Sequence, residues 1–144
     1  MDYLSDKLDK LSLEDIYEQT SFNLLDPLMT LKCGQLHPYF DDHLERLNKR
    51  SWTIITATNP GNIRETKKKN ESANADLEID LARSGTTYAR TRIHSVVPNS
   101  PVEDGFVVYD MPIDQALILA RRYQQDTILV GRIGRCSKLA WTRL

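Results

Sequence analysis

The sequence predicts an α+β protein: a ferredoxin-like split βαβ sandwich with an added strand, preceded by N-terminal helices. Three observations predict it. From residue 51 short β-branched segments alternate with longer proline-free ones, in the order strand, helix, strand, strand, helix, strand, strand. Asn, Pro and Gly cluster at the joints, and the first 48 residues instead carry apolar residues at helical spacing.

The elements follow in order. Leu4, Leu8 and Leu11 recur at helical spacing, and Ser12 with Asp15 marks the start of a second short helix carrying Ile16 and Tyr17. Leu24, Leu25, Leu28, Met29 and Leu31 surround Pro27, which reads as a broken helix ended by Cys33 and Gly34. After Pro38 an amphipathic helix presents Tyr39, Phe40, Leu44 and Leu47 on one side. Trp52 to Ala57 is an apolar, β-branched run stopped by Asn59-Pro60-Gly61, as in a central strand. Arg64 to Arg83 lacks proline and glycine and reads as a helix ended by Ser84-Gly85. Thr86 to Val97 and Gly105 to Tyr109 are strands around a Pro98-Asn99-Ser100-Pro101 loop. Pro112 opens a helix over Ile113 to Tyr123 with Ile113, Ala116, Leu117 and Ala120 inward; strands at Thr127 to Val130 and Ser137 to Trp141 complete the chain. In this topology Trp52 to Ala57 and Gly105 to Tyr109 are neighbours, and the two long helices share one face. The expected division is a helical extension over residues 1–48 and an α+β domain over 49–144.

Composition narrows the functions. Nineteen Lys and Arg stand against 20 Asp and Glu, so no global field draws the chain to nucleic acid. No uninterrupted apolar run approaches the ~18 residues of a membrane span. Cys33 and Cys136 are far apart and no secretory leader is recognisable, so the expected location is the cytoplasm. His37, His43 and His94 share no metal-ligand spacing with each other or the cysteines, so neither a metal nor another cofactor is expected.

Four short motifs, in order, carry a resemblance: Ile55-Thr56-Ala57-Thr58-Asn59-Pro60; Asn70 and Asn74 ahead of Leu77 and Leu81; Pro101 to Phe106 (PVEDGF); and Leu119 to Gln125 (LARRYQQ). Over residues 51–141 the chain resembles the bacterial domain family of unknown function numbered 3293. Gln124 departs from it, since the family tends to carry glycine there. The resemblance implies a fold and a set of residues, and no reaction.

Spacings of four, three and four put Asn70, Asn74, Leu77 and Leu81 on one helical stripe, so both amides face inward and need partners. They either brace the loop after Ala57 or contact a ligand. That loop enters a helix whose first turns carry Arg64, Lys67, Lys68 and Lys69, which is either a weak anion site or a solvated face. Glu103 and Gln125 converge with the asparagines if strand and helix ends meet on one side of the sheet. The expected ligand-binding set is therefore Thr56, Asn59, Asn70, Asn74, Glu103 and Gln125. The expected function is a small binding or regulatory module for a nucleotide-like or other small polar or anionic ligand. Its alternatives are an adaptor or inhibitor that holds a protein partner on the N-terminal helices, and a small enzyme using Glu103 as acid or base.

Overall fold

A computed structural model describes residues 10–142. Within them the chain is α+β: a seven-stranded sheet and four α-helices. Helix α1 (Lys10–Gln19) precedes a hairpin of β1 (Ser21–Leu25) and β2 (Leu28–Leu31), then α2 (Pro38–Arg46) and β3 (Ser51–Ile55). Helix α3 (Lys67–Arg83), strands β4 (Tyr88–His94) and β5 (Glu103–Tyr109), helix α4 (Ile113–Arg122) and strands β6 (Thr127–Arg132) and β7 (Arg135–Trp141) follow. The sheet order is β2-β1-β4-β5-β3-β6-β7, and every neighbouring pair is antiparallel. As the sequence predicts, β3 and β5 are adjacent, flanked by β4 and β6.

Alternation of side chains splits the core in two. Ile55, Phe106, Val108, Ile128 and Val130 face α3 and α4, where Leu77, Leu81, Ala116 and Ala120 cover them. Trp52, Ile54, Val107, Tyr109 and Leu129 face the other way, onto Phe40 and Leu44 of α2 and Phe22, Leu24 and Leu31 of the N-terminal hairpin. The two long helices thus share one face, as expected.

The N-terminal segment differs from its sequence reading. The broken helix expected over Leu24 to Leu31 is the β1–β2 hairpin, turning at a cis Asp26–Pro27 peptide. Its physical signal is the alternation in Ser21–Leu25, where Phe22 and Leu24 are buried between half-buried Ser21 and Asn23. Strand β1 pairs with β4, so the N-terminal segment extends the main sheet. Ser12 lies inside α1, which is already helical at Lys10, so no second helix starts there. Leu4 and Leu8 lie outside the described residues.

Two apolar stripes are narrower than expected. Tyr39, Leu47 and Ile113 are exposed, while Phe40, Leu44, Ala116, Leu119 and Ala120 are buried. Among the described residues no helix is long and apolar enough to cross a membrane.

Candidate functional site

The site grows from the loop between β3 and α3. Asn59, Gly61 and Asn62 all adopt positive φ, at 50°, 68° and 58°, which L side chains with a β-carbon resist unless short and polar. Asn, Gly and Asn at these positions meet that demand. The strained path folds Thr56 to Asn62 back over the end of the sheet and requires support from outside.

The other three resembling motifs supply it. Asn74 Oδ1 accepts from the Ala57 amide at 2.9 Å, and its Nδ2 donates to Thr58 Oγ1 at 3.0 Å. Asn70 Oδ1 accepts from the Asn59 amide at 2.9 Å, and its Nδ2 donates to Asn59 Oδ1 at 3.0 Å. The same Asn59 oxygen accepts the Glu65 amide at 3.0 Å. From β5, the Asp104 carbonyl accepts the Thr56 hydroxyl at 2.6 Å. From the end of α4, Gln125 Nε2 donates to the Thr58 carbonyl at 3.0 Å, and the Gln124 carbonyl accepts the Gly61 amide at 2.8 Å. Asn62 closes the loop onto Asp126.

Each expected site residue therefore has a place. Thr56, Asn59, Asn70, Asn74 and Gln125 form one network whose geometry is that of bracing. Glu103 stands apart from it, with no side-chain hydrogen bond and no ion pair within 4 Å among the described residues. Burial pushes its carboxyl up to about 7, and Arg64 nearby opposes the shift. The network also consumes donors that a helix-start anion site would need: the amides of Asn59, Gly61 and Glu65 have internal acceptors, and Thr66 caps the Lys69 amide at 3.2 Å. Lys67 and Lys69 extend into solvent, 3.8 and 3.7 Å from Glu71 and Glu65.

Two hollows meet at Glu103. One, of about 450 Å³, lies along the start of α3 and is bordered by Asn70, Asn74 and Lys67. The other, of about 270 Å³, lies on the opposite face, where Ile16 and Tyr17 of α1 oppose Phe22, Ile93, Leu129 and Leu139 of the sheet. Its polar lining includes Thr56, Thr58, Asn59, Arg64, Glu103 and Gln125. The Tyr17 ring is held edge-on to Trp141, with centroids 6.1 Å apart.

Sequence reasoning placed Thr58 in the loop but left it out of the site, because nothing local shows that its hydroxyl turns inward to the centre of the network, where it is buried. It also missed the apolar wall, whose parts are far apart in the chain. The histidines hold structural positions: His37 Nε2 accepts the Lys32 amide at 3.0 Å, His43 stacks on Phe40, and His94 bonds Asn23. Among the described residues no cluster of His, Cys, Asp and Glu is able to hold a metal ion.

The model of one protein family, described as "Protein of unknown function (DUF3293)", matches residues 55–128, just over half of the chain. The matched segment contains the motif of the loop and the three motifs that converge on it. No curated protein and no solved structure matches the chain.

Proposed function

As the chain belongs to the DUF3293 family, whose description assigns no activity, we propose a function from the site itself: a small-molecule binding module whose ligand enters the hollow between α1 and the sheet. One observation carries the reading. An apolar-walled space of about 270 Å³ has a carboxyl group, Glu103, at its rim with no side-chain hydrogen bond among the described residues. Apolar walls with a few convergent polar groups are the usual composition of a ligand site. The strand order β4-β5-β3-β6 supports reading the centre as a split βαβ unit, with the loop and Glu103 at one end of its central pair.

The ligand class follows from what is left to bind it. The loop amides are occupied, so a nucleotide-like or other anionic ligand has only the Arg64 side chain and the exposed lysines to meet it. A compact apolar or aromatic body with a polar head suits the hollow better. Asn70 and Asn74 hold the loop in place, and Glu103 meets the head.

Native mass spectrometry of the freshly purified chain tests for a co-purifying molecule. A fragment panel followed by amide NMR locates binding. Shifts at Ile16 to Phe22, Ile93 and Leu129 are expected, and their absence across a broad apolar and aromatic panel overturns the proposal.

A second reading is favoured by the raised carboxyl of Glu103, which titrates near 7 and so suits proton transfer at neutral pH. In that case any turnover of a bound molecule follows the ionisation of Glu103 and vanishes in Glu103→Gln.

A further inference from the structure

The chemistry of Glu103 allows the ligand to be narrowed, on the premise that the α1-side hollow is a binding site. We infer that this hollow selects a compact apolar molecule bearing a cationic nitrogen, a primary amine or amidine, which Glu103 receives.

The argument is one of placement. Glu103 opens β5 opposite Ile93 of β4, and its alternation with Val107 and Tyr109 turns its side chain to the α1 side of the sheet. There it borders both hollows, beside Thr58, Asn59 and Arg64. A carboxylate only accepts hydrogen bonds, so a donor is what completes it. Among the described residues none does.

The surrounding charges do not fill this role. Arg64, from the loop, donates Nη1 to the Asn99 carbonyl at 3.4 Å, and its charge near Glu103 favours the ionised carboxyl without a hydrogen bond to it. Glu65 is 3.7 Å from Lys69, and Lys67, 91% exposed, reaches Glu71 at 3.8 Å. Asp104 on β5 is exposed and adds negative charge, and Tyr17 on α1 presents a ring. A ligand ammonium entering between apolar walls therefore meets one half-buried carboxyl group whose charge it stabilises, whereas a carboxylate ligand meets repulsion from the same group.

The apolar wall sets the other half of the selectivity. Ile16, Phe22, Ile93, Leu129 and Leu139 offer no hydrogen bond, so they reward a hydrocarbon or aromatic body.

Three probes sharing one body separate these contributions: benzylamine, benzyl alcohol and benzoate, titrated into the full chain at pH 8 and followed by amide NMR. Benzylamine is expected to bind roughly tenfold or more tighter than benzyl alcohol, as a charge-assisted hydrogen bond does over a neutral one, with benzoate weakest. In Glu103→Gln the amine's advantage over benzyl alcohol falls to about onefold. The wild-type advantage also falls between pH 8 and pH 5 as the carboxyl takes up its proton, a readout that needs no variant. Equal binding of amine and alcohol to the wild type, or an amine preference kept in Glu103→Gln or at pH 5, overturns the selectivity and leaves the binding reading standing. Binding of none of the three overturns that reading and this inference together.

Discussion

At the scale of single residues, Asn74 carries the most. It is 7% exposed, and both amide atoms are committed to the loop. Asn74→Leu strands the Ala57 amide and is expected to lower stability by about 1–3 kcal/mol in urea denaturation. Asn70, half-buried, is expected to cost nearer ~1 kcal/mol on change to Ala. These two were legible in the sequence because their spacing with Leu77 and Leu81 fixes their direction whatever surrounds the helix. Glu103 was legible as a candidate but its state was not, since burial depends on α1 and β4, remote in the chain. Its titration has a definite sign. The folded carboxyl sits at about 7 against an ordinary 4.5, so the stability present below pH 4.5 is lost as pH rises toward 7 and stays lost above it. The loss is on the order of 3 kcal/mol at most. Glu103→Gln is expected to flatten the pH dependence of the denaturation midpoint between pH 4.5 and 8; a variant that keeps the wild-type slope assigns that slope to another group.

At the scale of elements, helix ends and turns decide the geometry. The end of α4 is a Schellman closure: the Gln125 amide donates to the Ala120 carbonyl at 2.9 Å and the Gln124 amide to Arg121 at 3.0 Å, with Gln124 at φ 54°. Glycine meets this conformation without strain, so Gln124→Gly is expected to raise stability by roughly 0.5 kcal/mol, after its own unfolded-state entropy is subtracted, with the Gly61 contact to the backbone of residue 124 preserved. Thermal melts in parallel with the wild type measure it. Gly131 of β6 has the opposite role, since a β-carbon there would overlap the Trp52 indole. Gly131→Ala is expected to cost about 3 kcal/mol by overpacking, read as a lower urea midpoint. The β1–β2 hairpin was not legible because strands of five and four residues hold too few turns of either period, and Leu24, Leu25, Leu28, Met29 and Leu31 satisfy a helical spacing equally well. Only pairing with β4 decides between them, and that is a long-range contact.

At the scale of the whole molecule, composition and segment order placed the α+β class and put β3 beside β5, because the crossover rules act on order alone. What they did not supply is the joining of the N-terminal segment to the sheet. Phe22, Leu24 and Leu31 pack in the same cluster as Trp52, Val107 and Leu129, so the segment before residue 48 and the strands after it share one core. A shared core implies a shared transition. Leu24, 1% exposed on β1, is the position that tests this, because its side chain belongs to the N-terminal segment and its neighbours to the rest. Leu24→Ala is expected to cost about 2–5 kcal/mol, through lost burial and the cavity left behind. The whole unfolding curve then moves to lower denaturant, with far-ultraviolet circular dichroism and the fluorescence of Trp52 and Trp141 still coincident. If residues 1–48 fold as a separate unit, the two probes part in the variant: part of the helical signal melts early, and tryptophan fluorescence keeps the wild-type midpoint. Coincidence in both proteins makes the sheet the cooperative unit, and the hollow beneath α1 then forms only when that sheet does.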